Sequence, residues 1–392
     1  AERAVNAYGG TDTILTTENA IGTAYNDYIY GSASANVLTG GDGDDVLIGG
    51  SGADTLNGGA GVDTVDYSSA AASVLLNMST TAQTLNGTSV QVNRAHDGLG
   101  SIDTLASIEN IITGSYNDYM YANDADNYIS TGSGNDTVNA RGGNDIVYLG
   151  SGNDTALGDG GDDIIYGEDG NDVIYGGDGT DTLYGGGGDD YMTGNAGNDI
   201  IVGGDGTDTL HFSTATERVL VNLSSSAQVL DGITVLAGTA VDGQGGIDTL
   251  SSIEQVNGTA YNDYLFGAET ADILNGGAGT DFLYGNGGND SLWGSTGSDM
   301  LYGGAGNDYL VGGADADLFV FDATANGRDT IADFTDGVDK IDLRSMGITF
   351  ANLTITTVGT SVKIVKTGST DLDVTLDNFM AANVDASDFI FT

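Results

Sequence analysis

An aspartate recurs at every ninth position through the middle of this 392-residue chain. Between residues 132 and 210 the spacing holds without a break. Glycines crowd the four positions before each aspartate, and an apolar residue lies two positions after it. The repeated aspartates are Asp136, Asp145, Asp154, Asp163, Asp172, Asp181, Asp190, Asp199 and Asp208. A flexible Gly/Asp/Asn linker has no reason to keep one phase over this length, so the spacing indicates a repeating fold.

The composition of the repeat predicts its local structure. Glycine-rich segments permit positive φ angles and tight turns, and the three residues centred on the apolar position suffice for one short strand. If turn and strand alternate, the chain returns to its starting edge after every second repeat. Strands two repeats apart in sequence then stack in parallel at about 4.8 Å, and aspartates stack with them along two edges. We therefore predict an all-β fold of parallel β-rolls.

Columns of closely stacked carboxylates repel each other, and the roll has little with which to offset that repulsion. Each repeat buries one large apolar side chain, a small gain against the conformational entropy lost by nine ordered residues. A divalent cation between adjacent turns would remove the repulsion. Oxygen-only ligands in carbonyl-rich turns suit calcium, and the binding free energy then becomes folding free energy.

The nonapeptide G-G-x-G-x-D-x-U-x, in which U is a large apolar residue, resembles the calcium-binding β-roll repeat of RTX (repeats-in-toxin) proteins. That resemblance implies that many Ca²⁺ ions lie between successive turns, each held by two carboxylates and by backbone carbonyls. For the Asp172/Asp190 pair, the implied ligand set comprises the two carboxylates, the carbonyls of Glu168 and Gly170, and the carbonyls of Gly185 and Gly187 in the next turn.

Aspartates in phase with the repeat occur well beyond the central segment, and we predict all of them as calcium ligands. Besides the nine above, they are Asp27, Asp45, Asp54, Asp63, Asp118, Asp263, Asp272, Asp281, Asp290, Asp299, Asp308 and Asp317. Asn36 and Asn127 replace aspartate at two positions, where we expect weaker ligation. If each pair of aspartates two repeats apart holds one ion, roughly 10–17 calcium ions bind.

The nine-residue phase divides the chain into segments. We predict β-rolls at residues 25–66, 116–211 and 261–320, and β-rich inserts at 67–115 and 212–260. The two inserts align without gaps at a constant offset of 145 positions, which indicates an internal duplication. They are poor in glycine and rich in Val, Leu, Thr and Ser, so we interpret them as longer β-strands packed beside the roll. Residues 1–24 match the insert ends and are interpreted as the remnant of a truncated insert.

Residues 321–392 are predicted to form a β-rich cap with a hairpin of residues 354–358 and 361–366 around Gly359. A roll end exposes unpaired strand edges, which a cap would cover. Residues 327–343 resemble the C-terminal flank of the serralysin proteases and related RTX proteins. The segment Asp388-Phe389-Ile390-Phe391-Thr392 resembles their uncleaved type I secretion signal. This resemblance implies the type I secretion machinery as a partner during export.

The charge balance excludes several partners. Acidic residues outnumber basic ones 57 to 9, for a net charge of −48, which argues against nucleic acid or an anionic membrane as a partner. No apolar run approaches the length that a membrane-spanning helix needs, so we predict no transmembrane segment. Without cysteine there is no disulfide framework. Calcium dependence favours a secreted, extracellular or cell-surface location, since cytosolic calcium is too scarce to fill weak sites.

Three tyrosines, Tyr148, Tyr166 and Tyr184, follow one another at intervals of two repeats. They occupy outward positions and should stack as a ladder on one face. Two interpretations remain open at this point. The ladder is either cross-strand aromatic packing or a contact surface for a partner or a sugar.

No catalytic constellation stands out, and we predict no catalytic residue. Neither histidine, His96 nor His211, lies in an H-E-x-x-H motif. A Ser–His–Asp site around His96, Asp97 and Ser101 and a paired-carboxylate glycosidase site remain as alternatives. Three glutamates recur at equivalent positions and are interpreted as parts of a structural turn. They are Glu18, Glu109 and Glu254.

These features together predict a calcium-binding structural protein of the cell surface or extracellular matrix, similar to an S-layer subunit or an adhesin. It would fold on calcium after export and then self-associate or bind a cell-surface polysaccharide. One alternative is the C-terminal secretion and folding module of a larger secreted enzyme, such as a protease, lipase or epimerase. A glycan-binding module is the other.

Overall fold

The computed structural model describes residues 2–5, 11–14, 18–230, 232–323 and 327–391, with the backbone alone for residues 2–5, 11–14 and 230. The chain forms two compact units, residues 1–194 with 204–206 and residues 195–203 with 207–392. Short strands joined by tight turns make up the described part of both units, and helix is limited to four single 3₁₀ turns near the C-terminal end. The predicted all-β fold of parallel β-rolls is therefore confirmed.

The strands are numbered in chain order. The first are β1 (Glu2–Val5), β2 (Thr11–Ile14), β3 (Asn19–Ile21), β4 (Tyr28–Tyr30), β5 (Val37–Asp42), β6 (Val46–Ile48), β7 (Thr55–Ala60), β8 (Thr64–Asp66), β9 (Leu75–Asn77), β10 (Gln83–Leu85), β11 (Thr88–Val90), β12 (Arg94–His96), β13 (Ile102–Ala106) and β14 (Asn110–Ile112). Next come β15 (Tyr119–Tyr121), β16 (Tyr128–Ser130), β17 (Thr137–Asn139), β18 (Ile146–Ser151), β19 (Thr155–Gly160), β20 (Ile164–Asp169), β21 (Val173–Asp178), β22 (Thr182–Gly187), β23 (Tyr191–Ala196) and β24 (Ile200–Asp205).

The remaining elements follow the same order. They are β25 (Thr209–His211), β26 (Leu220–Asn222), β27 (Gln228–Leu230), β28 (Ile233–Val235), β29 (Thr239–Val241), β30 (Ile247–Ser251), β31 (Gln255–Asn257), β32 (Tyr264–Phe266), β33 (Ile273–Ala278), β34 (Phe282–Tyr284), β35 (Ser291–Thr296), β36 (Met300–Tyr302), β37 (Tyr309–Ala314), β38 (Leu318–Val320), β39 (Asp329–Ile331) and β40 (Lys340–Asp342). The C-terminal ones are the 3₁₀ turns Arg344–Met346 and Phe350–Asn352, β41 (Leu353–Val358), β42 (Ser361–Lys366), β43 (Asp373–Leu376), the 3₁₀ turns Ala381–Asn383 and Ala386–Asp388, and β44 (Phe389–Ile390).

In the first unit, strands two repeats apart pair in parallel, in the register that the repeat predicts. Strands β18, β20 and β22 show this clearly, with Val147 opposite Ile165 and Ile165 opposite Leu183. One sheet runs β3-β5-β7-β13-β12-β9-β15-β17-β19-β21. The other runs β4-β6-β8-β14-β16-β18-β20-β22. Successive repeats thus alternate between the two sheets.

The core consists of the apolar residue that each repeat directs inward. Ile165, Ile174 and Leu183 come from three successive repeats and are fully buried. Their neighbours within the strand point outward, as the two-residue period of a strand requires. Because one residue in nine points inward, the core is narrow, and turns make up much of the structure.

The inserts differ from their interpretation as longer strands packed beside the roll, which was wrong. In the first insert, β9, β12 and β13 are three to five residues long and are hydrogen-bonded into the roll sheet itself, between β7 and β15. Strand β14 continues the other sheet between β8 and β16. The physical reason is that the exposed edge of β7 leaves backbone groups unpaired, and short strands of matching length satisfy them.

Within the described part of each insert, one hairpin forms a sheet separate from the roll. Strands β10 and β11 form a separate two-stranded sheet, in which Leu85 and Val90 are buried against Leu75 and pack on Tyr119 and Tyr121. The hairpin therefore covers outward aromatic side chains of the roll sheet.

The second unit repeats this plan. Strands β30, β29 and β26 lie between β24 and β32 in one sheet, with β29 antiparallel to both neighbours. In its hairpin, formed by β27 and β28, Val235 packs on Leu220 and Phe266. The other sheet of this unit runs from β25 through β31, β33, β35 and β37. The duplication read from the sequence thus corresponds to two copies of one topology.

Residues 327–391 extend both sheets of the second unit. The predicted hairpin is observed as β41 and β42 around Gly359, whose φ is +65°. Strand β42 pairs with β43, and β43 joins β39 at the end of one sheet. The other sheet ends in β38, β40 and β44.

Near the N-terminal end, β1 and β2 pair antiparallel with Ala4 opposite Asp12. The inserts show the same register, with Ala95 opposite Asp103 and Ala240 opposite Asp248. Of the segment predicted as an insert remnant, residues 1, 6–10 and 15–17 lie outside the described residues.

Candidate metal centres between stacked turns

The turns before each aspartate adopt a backbone that glycine makes possible. In the turn that ends at Asp172, Glu168 has φ +73° and Gly170 has φ +139°. A Cβ atom on Gly170 would overlap the carbonyl oxygen of Gly152 in the preceding turn. Glycine therefore allows consecutive turns to approach backbone to backbone, which brings their carbonyl oxygens together.

The repeated aspartates form a ladder inside these turns. The backbone N–H of Asp154 donates to Oδ1 of Asp172 at 2.8 Å, and the N–H of Asp172 donates to Oδ1 of Asp190 at 2.8 Å. The same contact connects further aspartates two repeats apart in both units. Each carboxylate thus has one oxygen fixed by the backbone of the previous turn.

The second oxygen of these carboxylates is buried and accepts no hydrogen bond within the described part of the chain. This holds for Oδ2 of Asp45, Asp54, Asp63, Asp118, Asp136, Asp145, Asp154, Asp163, Asp172, Asp281, Asp290, Asp299, Asp308 and Asp317. Buried polar atoms are nearly always satisfied in proteins. A regular series of unsatisfied carboxylate oxygens therefore marks places that require a positively charged partner.

Carbonyl oxygens surround these unsatisfied atoms. A Cβ atom on Gly167 would overlap both Asp172 Oδ2 and the carbonyl oxygen of Gly185 in the next turn. Gly285 is in the same position with respect to Asp290 Oδ2 and the Gly303 carbonyl. Each turn thus presents a carboxylate oxygen and a carbonyl oxygen from the next turn to the same small volume.

The structure places the ligand set implied for the Asp172/Asp190 pair on two adjacent turns, with Glu168 opposite Gly186 and Asp169 opposite Gly187. Carbonyl oxygens of Glu168 and Gly170 lie against Gly186 and Gly188 of the next turn. The Gly185 carbonyl lies beside Asp172, as described above. Gly187 differs, because its carbonyl accepts the N–H of Gly170 at 2.7 Å and keeps one lone pair for a metal.

Burial disfavours the charged form of these carboxyl groups. Desolvation, with a smaller contribution from Asp163, raises the pKa of Asp145 to about 8. It also raises the pKa of Asp154 to about 7 and that of Asp163 to about 6. A cation between the turns would reverse this effect, since an opposite charge within a few ångströms favours the ionised form.

The donor set fits a hard cation. It contains carboxylate and carbonyl oxygens, with no nitrogen or sulfur ligand, which is the chemistry of calcium. Among the residues described, no group of three or more Asp, Glu, His or Cys side chains is arranged to hold a metal ion.

The ladder includes residues that the nine-residue phase missed. Asp103 accepts the N–H of Asp54 at 2.8 Å, and Glu109 Oε2 accepts the N–H of Asp63 at 2.9 Å. Equivalent residues continue it in the second unit and beyond the last roll, namely Asp248, Glu254, Asp329 and Asp339. Each of these aspartates is followed two positions later by Leu or Ile, so the aspartate-to-apolar spacing without its glycines is the signal that finds them.

Asn36 and Asn127 fill ladder positions with an amide. The Nδ2 group of Asn127 donates to the Glu109 carbonyl at 2.7 Å, and that of Asn36 donates to the Glu18 carbonyl at 3.3 Å. An amide N–H thus donates to a carbonyl oxygen of the preceding turn. At an aspartate position, a cation would contact that carbonyl oxygen instead.

A second ladder, on the exposed side of the turns, was also missed. Asn153 Oδ1 accepts the N–H of Asn171 at 3.1 Å, and Asn171 Oδ1 accepts the N–H of Asp189 at 3.1 Å. The direction is opposite to that of the buried ladder, because here the earlier residue accepts. The neutral side chains in this row satisfy backbone groups of the turn without adding charge.

In the alternative catalytic site, Asp97 contacts the main chain of Ser101. Asp97 Oδ1 accepts the backbone N–H groups of Leu99 and Ser101 at 2.9 and 2.8 Å, so its contact with Ser101 is through the main chain. His211 is partly buried, and desolvation lowers its pKa.

These geometries define a class of protein: a parallel β-roll whose turns hold oxygen cradles for calcium. A comparison with protein families gives the RTX calcium-binding nonapeptide repeat in overlapping matches over residues 7–69, 104–210 and 242–319. The matches cover more than half of the chain, and the chain belongs to this family.

Solved structures with similarity to the chain include two subunits of the mannuronan C5-epimerase of Azotobacter vinelandii. The AlgE6R3 subunit is 30% identical, with 33% of this chain and 78% of the subunit covered and a TM-score of 0.20. The corresponding values for the AlgE6R2 subunit are 30%, 34%, 89% and 0.21. The extracellular lipase LipA of Serratia marcescens is 18% identical, with 63% of this chain but only 40% of the lipase covered and a TM-score of 0.29. No curated protein matches the chain.

The described part of the chain contains no helix that is long and apolar enough to cross a membrane.

Proposed function

We propose that this chain is a secreted structural protein of the cell surface or extracellular matrix, and that calcium folds it after export. The observation that carries the proposal is the series of buried carboxylate oxygens that accept no hydrogen bond within the described residues. Together with a net charge of −48, it makes the metal-free roll strongly self-repelling. The folded state therefore depends on an ion that is abundant outside the cell and scarce in the cytosol.

Calcium removal tests the first half of this proposal. We expect circular dichroism at pH 7.5 and low salt to show sheet with calcium and a disordered spectrum after excess chelator. Magnesium is the matched control. Because it demands near-ideal octahedral geometry and gives up its waters reluctantly, it should restore little of the sheet signal. A chain that kept its sheet in excess chelator would contradict the proposal.

The repetitive surface supports the second half. Exposed acidic side chains recur on successive turns of one edge, among them Asp159 and Asp162 in one turn and Asp178 in the next. Regular rows of carboxylates suit calcium bridges between copies, and such bridges would let the same ion fold the chain and assemble it. Self-association into an S-layer-like array is the form of this role that we propose.

Electron microscopy of the purified full chain tests assembly. We expect ordered arrays or filaments with millimolar calcium, and their loss after chelator is added. Calcium-loaded chains that stay monodisperse at high concentration, with circular dichroism confirming the fold, would rule out assembly by this chain alone.

A glycan-binding role is the second candidate, and the tyrosine ladder favours it. The rings of Tyr148 and Tyr166 stack at 4.6 Å with an interplanar angle of 6°, and those of Tyr166 and Tyr184 stack at 4.9 Å with 4°. The predicted stacking is thus confirmed. A row of parallel, partly exposed rings presents an apolar surface with polar hydroxyl groups, which suits the faces of sugar rings.

Binding to a panel of bacterial polysaccharides distinguishes this candidate. We expect Tyr166→Ala to weaken binding, because it removes the middle ring of the ladder. Tyr175→Ala is the matched control, since Tyr175 lies on the other sheet of the same unit. Absence of binding by the calcium-loaded chain across the panel would exclude the role.

The remaining alternative, a secretion and folding module of a larger secreted enzyme, makes a different prediction about the natural protein. The secreted product would then be longer than this chain and would carry hydrolase or epimerase activity. Mass spectrometry of the secreted protein separates this alternative from a surface protein.

A further inference from the structure

Two buried aspartates outside the nine-residue phase occupy equivalent places in the two inserts. Asp97 and Asp242 begin the sequences Asp-Gly-Leu-Gly-Ser and Asp-Gly-Gln-Gly-Gly. They are 0% and 1% exposed. In each, Oδ1 accepts backbone N–H groups of the turn that follows. Oδ2 of each is buried and accepts no hydrogen bond within the described residues.

The turn that ends at Asp54 resembles an ordinary step of the roll. At an ordinary step, a Cβ on the first glycine of the turn would meet the aspartate Oδ2 and a carbonyl of the next turn, as at Gly40 with Asp45 and the Gly58 carbonyl. At Gly49 the nearest atoms are those of Asp54 alone. The Asp54 carboxylate is thus the group nearest to the first glycine of this turn.

At this step both oxygens of the next ladder carboxylate accept hydrogen bonds. Asp103 takes the ladder position after Asp54, and its Oδ1 accepts the Asp54 N–H at 2.8 Å. Its Oδ2 accepts the hydroxyl of Tyr67 at 3.0 Å. Asp54 Oδ2 and Asp97 Oδ2 are then the buried carboxylate oxygens at this junction that accept no hydrogen bond. Asp97 lies in the turn before Asp103, because its Oδ1 accepts the N–H of Ser101 at 2.8 Å, and that turn stacks on the one that ends at Asp54.

The second unit shows the convergence directly. A Cβ atom on Gly246 would overlap the carbonyl oxygen of Gly197 and lie 2.6 Å from Asp242 Oδ2. Gly197 is the fourth residue of the turn that ends at Asp199, the position of Gly170 in the turn that ends at Asp172. The insert carboxylate thus reaches a carbonyl oxygen of the type that faces the cation in an ordinary step.

We propose that each insert carries a calcium site outside the nonapeptide pattern, built on Asp97 with Asp54 in the first unit and on Asp242 with the Gly197 carbonyl in the second. The donors are carboxylate and carbonyl oxygens, which suit calcium. The ion holds the turn between β12 and β13 to the turn that ends at Asp54, and the turn between β29 and β30 to the turn that ends at Asp199. That is where antiparallel strands enter the sheet and the two-repeat register ends.

Calcium stoichiometry of the full chain tests the site. Native mass spectrometry in saturating calcium should show one ion fewer for Asp97→Asn, one fewer for Asp242→Asn, and two fewer for the double variant. Asp169→Asn, at an exposed position of a roll turn, is the matched control and should lose none. Variants that fold, by circular dichroism, yet bind as many ions as the wild type would overturn the proposal.

A second measurement uses the unaltered chain and does not depend on the variants folding. Anomalous diffraction from calcium-grown crystals should give peaks within coordination distance of Asp97 Oδ2 and Asp242 Oδ2. The inference rests on the proposed function, in which calcium is the ion of the roll. The map tests the insert sites and the roll sites separately. Peaks along the roll with none at these two atoms overturn the insert sites alone, whereas no peaks anywhere overturn the proposed function as well.

Discussion

At the scale of single residues, the roll depends on backbone conformations that side chains exclude. Gly170 and Gly187 lie in consecutive turns of the same edge, and their surroundings differ. Gly170 has φ +139°, and a Cβ there would overlap a carbonyl oxygen of the previous turn. At Gly187 the nearest atom to an added Cβ is 3.8 Å away, an ordinary contact distance.

We therefore expect Gly170→Ala to destabilise the calcium-loaded chain by several kcal/mol, since the turns cannot approach. Gly187→Ala keeps the same carbonyl and should stay within about 0.5 kcal/mol of the wild type. Thermal unfolding in saturating calcium measures both. Equal effects of the two substitutions would show that the observed turn geometry is not the one that the chain adopts.

A ladder aspartate serves two steps, because it contacts the turn before it and faces the turn after it. Asp172→Asn should therefore weaken two adjacent calcium sites. Loss of one site that is filled at a hundredfold excess over its Kd removes about 2.7 kcal/mol. Calcium titration followed by circular dichroism should show a higher midpoint for this variant. Asp169→Asn, at an exposed position of the same turn, should leave the midpoint unchanged.

At the scale of elements, each insert is a local departure from a parallel roll. Its hairpin leaves the sheet and returns to cover it, with one face buried and the other exposed. In the hairpin of β27 and β28, Val235 is 2% exposed and packs on Leu220 and Phe266, whereas Val229 is 71% exposed.

Val235→Ala should lower the free energy of unfolding by about 1–3 kcal/mol, because it removes two buried carbon groups and leaves a cavity. Val229→Ala, in the same hairpin, should change it by less than about 0.5 kcal/mol. Chemical denaturation in calcium measures the difference. A hairpin whose two valines were equally sensitive would have to pack in another way.

The elements also show where sequence reasoning succeeds. The interval between aspartates gave the strand register and the tyrosine stacking, because both follow from a period of two nonapeptides. The inserts have no such period. Asp103 accepts a hydrogen bond from Asp54, 49 residues earlier, and a contact at that separation is set by the path of the intervening strands. The glycines that mark the repeat are missing there, so only the spacing between Asp103 and Leu105 pointed to it.

The sequence therefore predicted smaller roles for some insert residues than the structure shows. Glu109 and Glu254 were interpreted as parts of a structural turn, and each proves to occupy a ladder position with a longer side chain. The calcium ligands themselves remain a prediction from the sequence. The structure adds the buried oxygens and the carbonyl cradles that make the prediction specific.

At the scale of the whole molecule, charge controls folding. Burial raises the pKa of Asp145 to about 8, and those of Asp154 and Asp290 to about 7, above the ordinary value of 3.8 for an unfolded aspartate. At pH values between the ordinary pKa and the raised pKa values, the metal-free folded chain binds more protons than the unfolded chain. Its stability is therefore greatest below about pH 4 and is lost as pH rises through about 6–8.

Acid should thus substitute in part for calcium. With excess chelator, we expect more sheet by circular dichroism at pH 5 than at pH 8, with soluble protein confirmed by light scattering. With calcium, protons compete for the same oxygens, so the apparent affinity should fall from pH 8 to pH 5. A chelated chain that gained sheet as pH rose would contradict the sign of this linkage.

Strand β44 pairs with β40 at the end of one sheet of the second unit. Phe389 is buried there beside β40 and contacts Phe350 and Phe391, in the segment that resembles an export signal. Under the proposed route, the exporter meets this segment as an extended peptide, and outside the cell it becomes part of a sheet. Each turn that closed around an ion outside the cell would shorten the length of chain still able to move back. The calcium gradient across the envelope would then favour export of the chain, and the pairing of β44 with β40 would oppose its return.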